Sequence, residues 1–426
     1  MYLSQTILNW VKTVACCSAI GLLLQGCGDS GGSKEVPDPV DTDAGHTLLI
    51  YIIGDNSLSK YAESNISAAS SGLLDATRPV NVVIYKDNES GQPVLFRLKV
   101  AGDKTSVSRD TLMVWDTDVD SSDPDQLAYV VDYVFNKKFP TVVKGLEMWS
   151  HGDSWLPGGY DINIASTSKA KISPLTYIGI DGTSYLDIWD MSSALSGTGV
   201  HLDYILFDAC FMATAEVAYE LRNNTDYVAG SLCEIMGPGL PYNTFIPSLA
   251  TCQTSSSVES ALCELVDDYE GVYGSTGIYK ANGGTFSVIR TSAMEDLHTA
   301  YQALRLSHPD RLDSLRQNAS TLRFTLQRYG RRLSENSDRT GMYHDMDALL
   351  RYIDSTDTSA QLFLQKAVIK EFHSDFFKAG SSGDNRFELT DVSGIAVTVP
   401  EFLYLYGNAG IFTKAYGKCA WGKDLK

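Results

Sequence analysis

The sequence predicts an α/β fold with a mostly parallel central sheet that is flanked by helices. Short runs rich in Val, Ile, Leu and Tyr predict the strands, and amphipathic segments between several of them predict the helices. The strand-like runs cover residues 47–55, 80–87, 142–150, 203–209 and 227–231, and the helical segments include residues 59–75, 124–138 and 211–222. Continuous apolar strands that alternate with helices are typical of parallel sheets covered on both faces.

The remaining segments extend the sheet and add a mainly helical region. Residues 94–100 follow a Gly-Gln-Pro turn and predict one arm of a hairpin. Helical patterns cover residues 256–270 and 291–378, and further strands are predicted at residues 283–290 and 393–400. We therefore divide the body into a core of residues 46–290 and a helical C-terminal region of residues 291–426 with a closing strand.

The N-terminus has the plan of an export signal. Residues 14–24 form an apolar stretch that is shorter than the ~20 residues needed to span a bilayer. Leu24, Gly26 and Cys27 resemble the bacterial lipobox, in which cleavage before the cysteine follows lipid attachment to its thiol. We predict a signal peptide over residues 1–26, lipidation at Cys27, and a flexible tether over residues 27–45 that is rich in Gly, Ser, Pro and acidic residues.

This pattern places the mature chain outside the cytoplasm, anchored by lipid to the bacterial cell envelope at the outer membrane or cell surface. The alternative is an ordinary secretory signal peptide with a nearby coincidental cysteine. The net charge of -18 repels a phosphate backbone, so we expect no nucleic-acid partner.

Cysteine usage predicts a free thiol. Eight cysteines are present, of which two leave with the signal and one would carry lipid; those that remain are Cys210, Cys233, Cys252, Cys263 and Cys419. An odd number in an exported chain leaves at least one thiol unpaired or bridged to another molecule. Cys252 and Cys263 either pair with each other or merely pack.

Two of the predicted strands are followed by reactive side chains. His151 follows the run at residues 142–150, and Cys210 follows the run at residues 203–209. Ligands bind beyond the carboxyl ends of parallel strands, and neighbouring strands lie about 4.8 Å apart, so both side chains can face one crevice. An imidazole or a helix start close to a thiol favours the thiolate, and we expect the helix predicted after Cys210 to do so. Gly152 offers a backbone N–H as an oxyanion donor.

Each residue alone also has a less specific interpretation, because a cysteine after an apolar strand is more often a small buried hydrophobe. Together with their surroundings they resemble the clostripain-like cysteine peptidases, which are related to caspases, gingipains and legumains. Four stretches carry the resemblance: YIIGDNSLSKY at 51–61, WSHGDSW at 149–155, FDACFMATAEVAYEL at 207–221 and GSLCEIMGPGLPY at 230–242.

The resemblance implies a caspase-haemoglobinase fold and a Cys-His dyad, with Cys210 as nucleophile and His151 as acid-base. The backbone N–H groups of Gly152 and Cys210 would hold the oxyanion. Asp208 lies where related enzymes line the pocket for the residue before the cut bond, and a carboxylate there favours arginine or lysine. A hydrogen-bonding role at the strand end is the alternative for Asp208.

This chain departs from the family pattern at a few positions. Ser154 replaces the usual glycine, and Phe211 and Ala213 replace the frequent leucine and glycine after the cysteine. The stretch at residues 230–242, which we name the Pro-Gly loop, lacks an aspartate that some members have, and Glu234 is the nearest acid. Strict basic specificity is therefore a weaker implication than proteolysis.

Members are often cut in the loop between histidine and cysteine. Lys169 or Lys171 in that loop is the predicted processing site, with solvated loop lysines as the alternative. Peptides or proteins with basic residues are the expected substrates.

The chemistry of a thiol and an imidazole needs no organic cofactor. A cluster of acidic residues offers oxygen ligands for calcium, which some relatives require; the cluster consists of Asp116, Asp118, Asp120 and Asp123. These residues lack the spacing of a known calcium loop, so a solvated acidic loop is favoured. The main rival function is a non-catalytic surface lipoprotein that binds peptide or glycan. A serine hydrolase based on Ser30 in GDSGG (28–32) is disfavoured, because only the signal peptide lies upstream of it.

Overall fold

The computed structural model describes residues 33–35, 44–89, 91–158, 178–330, 332–334, 337–338, 342–378, 386–406 and 408–423. Its strands are β1 Ser33–Glu35, β2 His46–Gly54, β3 Asn81–Asn88, β4 Val94–Val100, β5 Val107–Trp115, β6 Val143–Trp149, β7 Ile180–Asp181, β8 Ser184–Tyr185, β9 Leu202–Asp208, β10 Thr225–Gly230, β11 Thr285–Arg290, β12 Arg328–Tyr329, β13 Arg332–Ser334, β14 Ser337–Asp338, β15 Tyr343–Asp345, β16 Val368–His373, β17 Phe376–Lys378, β18 Arg386–Glu388 and β19 Ala396–Thr398.

The α-helices are α1 Ser59–Asp75, α2 Pro124–Asp132, α3 Ile188–Thr198, α4 Ala215–Glu220, α5 Tyr242–Ala250, α6 Val258–Tyr273, α7 Met294–Ser307, α8 Pro309–Gln317, α9 Ala319–Thr325, α10 Met346–Ile353, α11 Ser359–Ala367, α12 Ala409–Tyr416 and α13 Ala420–Lys423. A π-helical segment, Tyr133–Lys138, continues α2, and 3-10 segments occur at Ser255–Ser257, Thr291–Ala293 and Pro400–Leu405. No helix in the described ranges is both long and apolar enough to cross a membrane.

One large sheet organises the molecule. Its strand order is β1-β5-β4-β3-β2-β6-β9-β10-β11-β16. The five strands from β3 to β10 in this order are parallel to one another, and the outer strands pair antiparallel. The predicted α/β fold is confirmed, with the parallel character confined to the centre. The hairpin predicted for residues 94–100 is also confirmed, because β4 pairs antiparallel with β3.

Both faces of the central strands are covered by helices, as their continuous apolar sequences require. In β2, Leu49, Tyr51 and Ile53 pack into one apolar cluster, and the alternate residues pack into the other. Helices α2, α3, α4, α7 and α10 supply the first cluster, and α1, α5 and α6 supply the second. Because alternate side chains of a strand point to opposite faces, the sheet separates two cores.

The structure corrects one expectation about a local segment and shows a short strand within another. The predicted helix at residues 211–222 is wrong at its start: α4 begins only at Ala215, capped by the Thr214 hydroxyl, which accepts the Val217 N–H. Within the predicted tether, Ser33–Glu35 form an edge strand that pairs with β5. Helix α1 covers the predicted residues 59–75, and α2 with its π-helical continuation covers the predicted residues 124–138.

The C-terminal region contributes to the same sheet and to a second, small one. Strand β16 pairs with β11 at one edge of the large sheet. The closing strand β19 pairs with β15 in a three-stranded sheet, β12-β15-β19. A buried ion pair joins Arg305 on α7 to Glu401 in the 3-10 segment Pro400–Leu405, with 2.7 Å between a guanidinium nitrogen and Oε1. Residues on both sides of the predicted boundary at residue 290 therefore share one sheet.

Candidate active site

A cavity of about 520 Å³ opens at the carboxyl edge of the central sheet. Its walls come from the turn after β2, the segments after β6 and β9, the Pro-Gly loop before α5, and the small C-terminal sheet. His151, Gly152, Asp208 and Cys210 all line it, so the structure brings these four predicted site residues together.

Strand register places His151 and Cys210 at the same height. Strands β6 and β9 pair in parallel with Trp149 opposite Asp208. His151 and Cys210 each lie two residues beyond this pair, which explains why residues far apart in sequence line one cavity. Both residues therefore line one cavity, and the catalytic dyad between them stays a prediction.

The imidazole of His151 is held by the turn after β2. Its Nε2 lies 2.9 Å from the hydroxyl of Ser57. Asn56 holds this turn in place, donating to the carbonyls of Ile53 and Ile180 at 2.9 Å each. Burial lowers the pKa of His151 to about 4, because desolvation disfavours the imidazolium. The ring is therefore neutral at pH 7.

The thiol of Cys210 contacts backbone rather than imidazole. The N–H of Ile235 donates to Sγ at 3.3 Å, which favours a thiolate when one forms. Burial raises the pKa of the thiol, and Glu234 adds to the effect. The helix start that we expected to favour the thiolate lies elsewhere, because α4 begins five residues later, at Ala215. In the resting site the imidazole and the thiol are thus both neutral. The described hydrogen bonds of His151 and Cys210 go to Ser57 and to the backbone of Ile235, respectively, and not to each other.

The backbone around the two reactive residues is closely packed. A methyl group added at Gly152 would lie 2.9 Å from both Ala209 Cβ and Cys210 O, so only glycine fits without a shift. Phe211 adopts a left-handed φ of +60°, which turns the chain away from the strand immediately after Cys210. The segments after β6 and β9 are therefore in close contact at Gly152.

Ser154 shows why a glycine suits its position. Its φ is +55°, in the left-handed region that favours glycine. The hydroxyl of Ser154 lies 2.6 Å from that of Thr214, a hydrogen bond that offsets part of the backbone strain. Next to it, Trp155 is fully buried and donates to Thr398 Oγ1 in β19 at 2.7 Å. The histidine segment is therefore fastened to both the start of α4 and the closing strand.

Asp208, which lines the cavity, belongs to a group that we name the Asp208 cluster: Asp208, Glu147 and Tyr242. The Asp208 Oδ2 atom accepts the Leu240 N–H at 3.1 Å and the Tyr242 hydroxyl at 2.7 Å. The same hydroxyl contacts Oε1 of Glu147, which is buried in β6. Burial raises the pKa of Asp208 to about 6, and these two hydrogen bonds oppose the rise. Both hydrogen bonds end on Oδ2, so Oδ1 is the oxygen that remains for a ligand.

Aromatic and C-terminal residues complete the walls. Phe211 and Tyr343 lie with ring centroids 5.6 Å apart, and the Tyr343 hydroxyl donates to the Asp153 carbonyl at 2.7 Å. Tyr329 in β12 also lines the cavity. The small C-terminal sheet thus takes part in the site, which the sequence had not indicated.

Several predicted residues lie apart from this cavity or outside the described chain. Cys27, Lys169 and Lys171 lie outside the described residues. In the acidic segment, Asp123 caps α2 and Asp120 accepts from Ser122 N at 2.9 Å, so these carboxylates serve local turns. Across the described part of the chain, no group of three or more His, Cys, Asp or Glu side chains is arranged to hold a metal ion.

The cysteines in the described ranges are all free thiols. Cys252 and Cys263 therefore do not pair, and the packing alternative holds for both. Cys252 is buried beside the Ser257 hydroxyl, and Cys263 is half-buried on α6. Cys210 differs from the fully buried thiols in that it lines the cavity.

Three residues of the site had no role predicted from the sequence: Ser57, Glu147 and Tyr242. Ser57 belongs to the turn after β2 that the sequence singled out, but its contact with His151 depends on packing across 94 residues of chain. Glu147 gave a usable signal, because an acid inside a continuous apolar strand needs a partner. Nothing local connects that strand with Tyr242, the first residue of α5.

Comparison with known proteins agrees with this architecture. The model of the clostripain family, a family of C11 cysteine peptidases, matches residues 50–395. The chain belongs to the clostripain family. The match includes His151, Cys210 and the whole wall of the cavity.

Solved clostripain-family structures share the fold over most of the chain. An inactive zymogen C11 protease from Parabacteroides distasonis is 25% identical with a TM-score of 0.69, covering 91% of this chain and 99% of that one. A secreted C11 cysteine protease from Bacteroides thetaiotaomicron, solved with an irreversible peptide inhibitor, is 26% identical with a TM-score of 0.68, covering 90% and 100%. The search of curated proteins gave no match.

Proposed function

We propose that this protein is a cysteine endopeptidase that cleaves peptide bonds after arginine or lysine, with Cys210 as nucleophile and His151 as acid-base. One observation carries the proposal: the two side chains follow adjacent parallel strands in the same register and line one cavity. Membership in a family of cysteine peptidases supports the reaction class.

The proposed reaction proceeds through an acyl-enzyme. Ser57 engages His151 Nε2, so Nδ1 is the nitrogen that accepts the Cys210 proton as sulfur attacks the peptide carbonyl. The imidazolium then gives this proton to the leaving amine, the C–N bond breaks, and a thioester remains. Water, deprotonated by His151, hydrolyses the thioester and returns the thiol. The N–H groups of Gly152 and Cys210 are the proposed oxyanion donors.

The proposed preference for basic residues rests on Asp208. Asp208 lines the cavity, both of its described hydrogen bonds end on Oδ2, and Glu234 adds negative charge to the lining. A guanidinium or ammonium in the cavity would gain a charge-assisted hydrogen bond. The proposed chemistry uses no cofactor. We expect activity to survive chelation of calcium, and loss of activity on chelation would support the calcium hypothesis instead.

Covalent labelling tests the proposal directly. A peptide acyloxymethyl ketone with arginine before the reactive group should label the chain lacking residues 1–26 and abolish its hydrolysis of fluorogenic arginine peptides. Cys210→Ala should abolish both, whereas Cys263→Ala, a matched change at a half-buried thiol outside the cavity, should retain both. An unlabelled wild-type protein that binds the peptide reversibly would instead support the non-catalytic binding protein, and loss of activity in Ser30→Ala alone would support a serine hydrolase.

We further propose export with a lipid anchor at Cys27, and cleavage at Lys169 or Lys171 during maturation. The lipobox-like residues support the anchor, and the relative from Bacteroides thetaiotaomicron is described as secreted. The relative from Parabacteroides distasonis is described as an inactive zymogen, which supports an activation step. Mass spectrometry of the chain termini tests both: Cys210→Ala should stay uncut in the loop, and Cys27→Ser should lose the lipid mass.

A further inference from the structure

The hydroxyl of Tyr242 contacts two carboxyl groups at once. Its oxygen lies 2.7 Å from Asp208 Oδ2 and also contacts Glu147 Oε1. All three side chains are buried, and the cavity meets this group at Asp208. Through Tyr242 of α5, the contact joins Glu147 in the interior of β6 to Asp208 in the lining of the candidate active site.

The protons in this contact can be counted. A tyrosine hydroxyl has one proton to donate, so it can satisfy only one of two ionised carboxylates. The second oxygen–oxygen contact requires another proton, or two lone pairs would face each other in a buried site. Asp208 also accepts the Leu240 N–H, which favours its charged form, whereas the described hydrogen bond of Glu147 is to Tyr242 alone. The extra proton therefore belongs on Glu147.

We propose that Glu147 is a protonated acid that donates to Tyr242, and that Tyr242 in turn donates to Asp208 and positions its carboxylate for a cationic substrate side chain. Glu147 and Tyr242 are then positioning residues for substrate selectivity. This inference rests on the proposed function, because it assumes that Asp208 binds the residue before the cut bond.

Burial and the surrounding loop agree with this arrangement. Burial raises the pKa of Glu147 well above its usual range, and the negative charge of Asp208 raises it further. The Tyr242 hydrogen bond lowers the pKa of Asp208 and so favours its ionised form. Gly239, with φ of +75°, leaves no room for a side chain beside Asp208 Oδ2, and its carbonyl accepts the Tyr273 hydroxyl at 2.8 Å. The loop therefore fixes Oδ2, and neither of the two described hydrogen bonds of the Asp208 carboxyl group uses Oδ1.

The test uses two fluorogenic peptides that differ only in arginine or citrulline before the cut bond. Citrulline has the shape of arginine without its charge, so the ratio of the two kcat/KM values measures the charge preference and cancels general losses. We expect Tyr242→Phe to lower this ratio roughly tenfold, because it removes a hydrogen bond to a charged group. Glu147→Leu should lower the ratio several-fold. Glu147→Gln, which keeps a neutral donor, should hold the ratio within about twofold of wild type.

Tyr273→Phe is the matched control. It removes a buried tyrosine hydroxyl that contacts the same loop at Gly239 but does not touch Asp208. We expect it to change the ratio by less than about twofold. Thermal unfolding of each variant identifies any that do not fold; if Glu147→Leu is one of these, the comparison of Tyr242→Phe with Tyr273→Phe decides.

Each remaining outcome overturns a defined statement. If Asp208→Asn leaves the ratio unchanged, the proposed basic specificity fails and this inference fails with it. If Asp208→Asn lowers the ratio but Tyr242→Phe does not, the specificity proposal stands and this inference alone is wrong. Equal losses in Tyr242→Phe and Tyr273→Phe would assign the effect to loop geometry, and equal losses in Glu147→Gln and Glu147→Leu would show that Glu147 acts as an ionised carboxylate.

Discussion

Two clusters of carboxyl groups, each with a buried aspartate, lie at the carboxyl edge of the central sheet, and these aspartates differ in the donors that they receive. In the Asp208 cluster, a backbone N–H and a tyrosine hydroxyl both donate to Asp208. In the second, which we name the Asp87 cluster (Asp87, Asp181 and Ser121), Ser121 donates to Asp181 at 3.0 Å, while neither carboxyl oxygen of Asp87 has a hydrogen-bond partner within the described chain.

The difference shows what a buried carboxylate needs in order to carry charge. Burial, followed by the nearby Asp181, raises the pKa of Asp87 to about 8, so this group is mostly protonated at neutral pH. The pKa of Asp208 is held to about 6 by its two donors. Of these two aspartates, Asp87 is thus neutral and Asp208 is ionised at pH 7, and only Asp208 lines the cavity.

Replacing the buried aspartate of each cluster by asparagine tests this difference most directly. Asp208→Asn should lower the arginine-to-citrulline ratio of kcat/KM roughly a hundredfold, because it removes the charge that faces the substrate. Asp87→Asn makes the same change in the other cluster and should leave the ratio within about twofold. Equal effects from both variants would show that Asp87 is ionised as well and that the ratio reports net charge at this edge rather than one contact.

Lowering the pH should reduce the arginine-to-citrulline ratio of the wild-type protein as well, without any substitution. With a pKa of about 6, Asp208 is charged above that pH and neutral below it. The wild-type ratio should therefore fall about tenfold between pH 7 and pH 5, while the ratio of Asp208→Asn stays flat. The dyad cancels in the ratio because both peptides use it. A wild-type ratio that is constant over this range would contradict the predicted titration.

The turn after β2 separates the two clusters and supplies Ser57 to the candidate active site. Ser57→Ala removes the hydroxyl that contacts His151 Nε2, so kcat for the arginine peptide should fall about fivefold as the ring loses its preferred orientation. Ser57→Thr keeps the hydroxyl and is the matched control. Similar kcat values for the alanine and threonine variants would show that the contact does not orient the ring.

Asp87 should make a small, pH-dependent contribution to the free energy of unfolding. A carboxyl group with a raised folded-state pKa binds more protons in the folded than in the unfolded chain between pH 3.8 and about 8, so its contribution to stability falls as pH rises through this window. Asp87→Asn removes this loss. Its free energy of unfolding, measured in urea, should exceed that of wild type by on the order of 1 kcal/mol at pH 8.5, with a smaller difference at pH 5. A difference that does not grow with pH would contradict the prediction.

The sequence was most informative where strands end. Apolar runs stop just before His151 and at Asp208, and a parallel sheet brings such ends to one edge, so these positions were predictable. The start of α4 was not, because the left-handed φ of Phe211 interrupts a pattern of residues that reads as a helix. The roles of Ser57 and Tyr242 were not predictable either, because they depend on contacts across 94 and 34 residues of chain, respectively.

The position of β16 has a consequence for how the chain is made. Strand β11 leaves the ribosome long before Val368–His373, its partner at the sheet margin. Until then β11 presents unpaired backbone groups, which makes the nascent chain prone to intermolecular pairing. A recombinant fragment that stops near residue 290 would keep this exposed margin permanently, so we expect such fragments to precipitate during expression.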